Sequence, residues 1–167
     1  MRGIVTLKAE TKLEGSFEPL LKRFSDKTER GILRASLRRT SQQVIIKEAK
    51  ANLKQVGGRR FLKDMTVKTS VTMKRAVARI GAKVGTPLSK IGHLIEGGTR
   101  PHVILPKRRP VMISKDGIFR GRRVEHPGTR AKPWLNPAME ENRQRAITKF
   151  GDLVVDEMEK AIRKGKL

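Results

Sequence analysis

Two stretches of this chain carry apolar residues at helical spacing over many turns. From about Ser25 or Asp26 to Val56, Leu33, Leu37, Ile45, Ala49 and Leu53 recur at four-residue steps or their multiple, the signature of a helix with one buried face. The opposite face is lined with arginine and lysine. Asp26-Lys27-Thr28-Glu29 is a capping-box sequence at its start, and Gly57-Gly58 provides its stop. Near the other end of the chain, Ile147, Phe150, Val154, Met158 and Ala161 form a second stripe, with Ala146 and Leu153 beside it. This predicts a helix from Pro137 to about Lys164. Asn136 is its expected N-cap and Pro137 suits the first helical position, with Glu140 and Glu141 complementing the helix start. The two helices are expected to pack through Leu37, Ile45, Ala49, Phe150, Val154 and Met158.

Between them the period changes. From Phe61 to Ala82 apolar and polar residues alternate, predicting strands over Leu62–Lys68 and Val71–Gly81 joined near Thr69-Ser70 or Lys74-Arg75. Pro87–Glu96, with Leu88, Ile91, Leu94 and Ile95, reads as a short helix. Gly3–Lys12 is an expected edge strand, and Gly15–Phe24, with Phe17, Leu20, Leu21 and Phe24, a short helix. The pattern is that of an α+β fold: a small antiparallel sheet packed against two long helices, in a single domain over residues 1–167.

One stretch fits neither period. From Glu96 to Ala138 the tripeptide Gly-Thr-Arg occurs twice, at Gly98-Thr99-Arg100 and Gly128-Thr129-Arg130. Prolines at 101, 106, 110, 127, 133 and 137 exclude a long helix. Residues 97–133 therefore read as an extended basic β-hairpin arm, with strands at His102–Pro106 and Val111–Ser114 and a turn at Lys115-Asp116-Gly117 leading to Ile118-Phe119. The arm leaves the body after Glu96 and returns at Trp134, whose indole is expected to anchor its base. Gly98, Thr99, Gly128 and Thr129 are expected to shape turns, while Arg100 and Arg130 are candidates to pair with Glu96 and Glu125, locking the two motifs together across the arm.

Charge changes the picture of partners. The chain has 39 Lys and Arg against 16 acids, a formal net charge of +23. Residues 22–63 hold 13 bases and three acids, and residues 100–132 ten bases and two acids, whereas the last helix is nearly neutral. Such an excess repels itself in isolation and points to anionic or multi-subunit surroundings. Arg59, Arg60, Arg100, Lys107, Arg108, Arg109, Arg120, Arg122, Arg123 and Arg130, with apolar Ile118 and Phe119, are the candidate contacts to partners or to DNA. Phosphate contact needs only such cations; no base-reading motif accompanies them, so acidic protein surfaces are the competing use.

Catalysis and cofactors find no support. His93, His102 and His126 lack metal-site spacing, and there is no cysteine, no Gly-x-Ser-x-Gly and no phosphate-binding Gly-Lys-Ser/Thr loop. The reading is non-enzymatic, with no cofactor and no metal. No apolar run reaches membrane-spanning length, and Met1–Thr6 has no signal-peptide character, so cytosolic assembly is expected.

The residues Glu96-x-Gly98-Thr99-Arg100-Pro101-His102, a basic loop, then His126-Pro127-Gly128-Thr129-Arg130-Ala131-x-Pro133-Trp134-Leu135-x-Pro137-Ala138 and a long helix resemble the neck or tail-completion proteins of long-tailed bacteriophages. The likeness is specific over residues 96–141, about a quarter of the chain. Tryptophan stands at 134 where phenylalanine is usual, and asparagine at 136 where arginine is common. The resemblance implies a non-catalytic virion protein, assembled in the host cytoplasm. Its copies would form a homo-oligomeric ring, six being expected from tail symmetry. The ring would join the tail terminator to head-closure or connector proteins, with double-stranded DNA passing through in weak contact. A free, non-specific nucleic-acid-binding protein is the alternative.

Overall fold

The computed structural model describes residues 18–72, 75–106, 112–113 and 119–166. The expected edge strand at Gly3–Lys12, together with Phe17, the 115–117 turn, Lys107, Arg108, Arg109 and Ile118, lies outside them, as do the side chains of Phe119 and Arg120.

A single helical turn, α1 (Glu18–Leu21), precedes one long rod made of three consecutive pieces: α2 (Asp26–Thr40), a π-helical stretch (Ser41–Ile46) and α3 (Lys47–Gln55). The expected capping box does not form. Ser25, in an extended conformation, is the N-cap; its carbonyl accepts from the Glu29 N–H at 2.9 Å and its hydroxyl donates to Thr28. The glycine stop forms as expected. Gly57, at φ 85, donates to the Lys54 carbonyl, and Gly58 donates to Leu53 at 2.7 Å, the paired bonds that close a helix on a left-handed residue.

The buried rows run through the π stretch without a break, Ile32, Ser36, Thr40 and Val44 on one and Leu33, Ser41, Ile45, Ala49 and Leu53 on the other, so burial is broadest where the turn widens. Ser36, Thr40 and Ser41 are buried there. Ser36 donates to the Leu153 carbonyl at 3.0 Å and Ser41 to the Leu37 carbonyl at 2.8 Å. The Thr40 hydroxyl is, among the described residues, the buried side-chain polar atom left without a partner. Thr40→Val keeps the shape and removes that stranded group, so the variant is expected to be more stable by about 1 kcal/mol in urea unfolding; a loss of stability would mean the hydroxyl is satisfied by water.

After a 3-10 turn (Arg59–Asp64), strands β1 (Met65–Thr72) and β2 (Arg75–Ala82) pair antiparallel, from Met65 with Ala82 to Thr72 with Arg75. The ladder runs unbroken past Thr69-Ser70 and ends at Thr72 with Arg75, so the join falls near Lys74-Arg75, the second of the two expected places. The strand starts later than expected because Phe61 and Leu62 both pack on the core, which alternation cannot satisfy. Helix α4 (Pro87–Gly97) follows. Then come four short strands, β3 (His102–Ile104), β4 (Met112–Ile113), β5 (Phe119–Gly121) and β6 (Val124–His126), and helices α5 (Asn136–Glu140) and α6 (Arg143–Arg163). The architecture is α+β, its antiparallel pairs packed with long helices.

The last helix is not continuous from Pro137, as had been expected. It breaks at Glu141-Asn142, where the Asn142 amide donates to the Ala138 carbonyl at 3.1 Å, a side-chain bond that competes with the helical ladder.

The core has two lobes along the rod. One gathers Leu21, Phe24, Ile32, Leu33, Val71, Phe150, Val154, Met158 and Ala161; the other gathers Val44, Ile45, Ile46, Ala49, Leu53, Phe61, Ile80, Leu88, Trp134, Leu135 and Ala138. Ile45 and Ala49 thus meet Trp134 and Leu135 rather than the Phe150 stripe, while Leu37 packs beside that stripe as expected. Ile147 is 38% exposed, outside the buried stripe in which it was expected.

A charged cluster ties the rod to α6 on the surface. Arg39 and Lys160 donate to the same Glu157 oxygen at 2.8 and 2.9 Å. Lys160 first, then Arg39, hold the Glu157 carboxyl below its ordinary range against the opposing effect of burial. A depressed folded pKa means stability present above the unfolded value and lost as pH falls through the folded one. Glu157→Gln should therefore lower stability by up to about 1 kcal/mol at neutral pH, and the difference should vanish in urea titrations run below the carboxylate range.

Candidate assembly site at the base of the arm

The doubled tripeptide closes on itself. Thr99 and Thr129 form an antiparallel bridge, each N–H donating to the other's carbonyl, at 2.9 and 3.0 Å, with their hydroxyls 2.9 Å apart. Each copy's glycine makes the approach possible. Gly98, at φ 69 and ψ −173, lies in a region open essentially to glycine alone. A Cβ there would sit 2.5 Å from the Thr129 carbonyl oxygen. Gly128, at φ 85, reciprocates, and a Cβ on it would strike the Thr99 carbonyl oxygen. The two copies are thus related by a local twofold, each glycine making room for the other copy's threonine.

Beyond this clasp the arm runs out as a ribbon. β3 pairs with β6, His102 opposite His126 and Ile104 opposite Val124; β4 pairs with β5. The rings of His102 and His126 stack at 5.0 Å. His126 Nδ1 accepts from the Gly128 N–H at 3.0 Å, and His102 Nδ1 lies 2.9 Å from the Arg100 carbonyl oxygen. The carbonyl can only accept, so His102 carries a proton on Nδ1 and His126 does not. Pro127 sits between His126 and Gly128, fixing φ in the turn. On the ribbon Val103, Ile104 and Leu105 are exposed, Leu105 to 62%.

Below the clasp the return strand is bolted to the body. The Lys132 N–H donates to the Ile95 carbonyl, an otherwise open acceptor at the end of α4, at 2.8 Å. After Pro133, Trp134 is buried against α4; its indole N–H reaches the Gly92 carbonyl at 3.3 Å, and its own carbonyl accepts from Asn52 on α3 at 3.2 Å. Trp134 is the anchor expected of it.

Glu96 has a different role from the one expected. Its carboxylate accepts three backbone N–H bonds at 2.9 Å, from Trp134 and Leu135 on one oxygen and Asn136 on the other. It is therefore the N-terminal cap of α5, taking the place expected of Asn136, whose neighbour Leu135 is the N-cap residue and Pro137 sits in the first turn. Asp64 treats α4 similarly, accepting from the Leu88 N–H at 3.2 Å. Arg100 and Arg130 consequently pair with neither acid. Glu125 is bridged by Arg123 at 3.0 Å, and among the described residues Arg100 and Arg130 make no ion pair. A carboxylate already satisfied by three amides has no need of a guanidinium.

Of the other candidate contacts, Arg59 and Arg60 are exposed at the 3-10 turn, Arg60 lying 4.6 Å over the Phe61 ring; Arg122 and Arg123 are exposed beside β6. These two pairs are separate in the fold, one on the body and one on the arm. Among the described residues no group of three or more His, Asp or Glu side chains is placed to hold a metal ion, and no helix is long and apolar enough to cross a membrane. The arrangement holds a ribbon rigidly at its root and presents cations and aliphatic side chains beyond it. No known protein family, curated protein or solved structure matches the chain.

Proposed function

We propose that this chain is a structural protein of the head–tail junction of a long-tailed bacteriophage, a neck or tail-completion protein. Its copies form a ring, six matching tail symmetry, between the tail terminator and the head-closure or connector proteins, and DNA passes through. It carries out no catalysis. The observation that carries the reading is the clasp: every residue of the Gly-Thr-Arg, His-Pro-Gly-Thr-Arg and Pro-Trp-Leu sequences that resemble this family is placed at the root of a projecting ribbon. A motif spent on fixing a ribbon suits assembly, where a docking element held rigid in advance loses less freedom on binding. Gold-labelled antibody against this protein should mark the neck of purified virions in negative stain. Mature particles that lack the protein would end the proposal.

The cations support weak contact with DNA in passage. Arg59, Arg60, Arg100, Arg122 and Arg130 are exposed and, among the described residues, make no ion pair. Binding of duplex DNA should fall with salt at a log–log slope of about −0.9 per phosphate contacted and be weak at physiological ionic strength. A flat salt dependence in fluorescence titrations would assign these residues to acidic protein surfaces.

A further inference from the structure

We propose that the outer face of α6 is the receptor for the arm of a neighbouring copy of this chain. The inference rests on the ring reading above and names the two surfaces that make the ring.

In a chain of net charge +23, residues 150–159 hold four acids and no Lys or Arg. Glu157 is engaged by Arg39 and Lys160. Asp152, Asp156 and Glu159 are exposed, and Asp152 and Asp156 make no ion pair among the described residues. Of the cations near them, Arg163 is engaged by Glu159 at 3.5 Å and Arg145 by Glu48 at 3.7 Å, while Lys149, three residues before Asp152, makes no ion pair with it among the described residues.

The same side of the helix is apolar where a solvent face should be polar. Ile147, Val155 and Ile162 are 38%, 43% and 49% exposed. Their spacings of eight and seven keep them near one side of the helix. At 1.5 Å per residue the strip is about 22 Å long, enough to lie along six or seven strand residues at about 3.3 Å each. It is an aliphatic row edged by unpaired carboxylates.

The arm offers the complement. Val103, Ile104 and Leu105 are exposed on it, and Arg100, Arg122 and Arg123 flank them. Arg123 shares a largely exposed pair with Glu125, worth little to either. No hydrogen bond or ion pair joins residues 97–133 to α6 of the same chain among the described residues, so both surfaces stay available. A second copy is the fitting occupant because of the charge. Subunits of +23 repel unless each presents its acidic strip to a neighbour's basic element. A contact between two different surfaces of one chain also propagates head to tail, which closes rings.

The test uses the full-length protein in sedimentation velocity. Asp152→Lys with Asp156→Lys alters the receptor; Arg122→Glu with Arg123→Glu alters the arm. Each double variant should fold with the wild-type circular dichroism and unfolding midpoint, and each alone should weaken self-association by about 100-fold or more. An equimolar mixture should form rings again with the two variants alternating, since the intact arm meets the intact strip at one joint and the reversed arm meets the reversed strip at the next. All four changes in one chain should restore the ring. A receptor variant that forms rings like the wild type overturns this inference and leaves the ring reading standing. A wild-type chain that stays monomeric at every concentration removes the ring reading itself, and this inference with it.

Discussion

Replacing Glu96 with glutamine is expected to destabilise the fold by roughly 3 kcal/mol. The carboxylate accepts from three backbone amides at the start of α5. Glutamine keeps one acceptor oxygen and turns an NH2 group toward at least one of those donors. Either the Asn136 bond or the Trp134–Leu135 pair is then lost, and amides beside the core are left facing a donor. The attraction of a negative charge for the helix start goes with it. For a chain of this length the loss corresponds to about 6–12 °C in melting temperature. Urea unfolding followed by Trp134 fluorescence reads the change directly, because the indole lies beside the broken contacts. An unchanged midpoint would show that water replaces the carboxylate at no penalty.

Removing residues 107–123 and bridging 106 to 124 with a short Gly-Ser link is expected to leave a folded chain that no longer joins heads to tails. The cut falls outside the β3–β6 ladder, whose last pair is Ile104 with Val124, and outside the Thr99–Thr129 clasp. Both would survive, so the melting temperature should move by no more than a few degrees. Loop closure in the shortened hairpin adds only fractions of a kcal/mol. The effect on assembly should be complete. Complementation of a phage lacking the gene should yield filled heads and free tails in normal amounts and no joined particles. Joining at the wild-type rate would make the outer ribbon dispensable and shift the interface to the helices.

Periodicity reached the elements and stopped at their joints. The rod from Asp26 to Gln55, its Gly57-Gly58 stop, α4 and the Phe150–Ala161 stripe follow from local spacing, because one buried face is a property of the helix itself. Ile147 obeys the same spacing and is exposed, since how wide a stripe is covered depends on the neighbours. The π stretch leaves no mark in the spacing, since the four-residue steps from Leu33 through Leu37, Ser41, Ile45 and Ala49 to Leu53 pass straight through it. Glu96 shows the wider gap. A glutamate two residues before Gly98 reads as the partner of the next arginine, yet it caps a helix forty residues further on. Asn136 has the side chain for that task and is displaced by a carboxylate the fold brings to it. The doubled Gly-Thr-Arg was plain in the chain, and so was a lock between its copies; that the lock is a backbone bridge between the threonines and not a set of arginine–acid pairs was not, because it depends on the close approach of two strands distant in sequence.

The clasp also decides where a pull on the arm is felt. Its two hydrogen bonds lie across the strands, and both strands leave the body side by side. Tension applied at the tip draws Thr99 and Thr129 outward together and leaves the bonds between them unstretched. The strain passes instead down each strand to its root: on one side the end of α4, on the other Trp134 and the amides held by Glu96. In the junction proposed above, a pull along the particle axis would thus load the tryptophan anchor in the core first. Only a sideways force that parts the two strands would unzip the threonines.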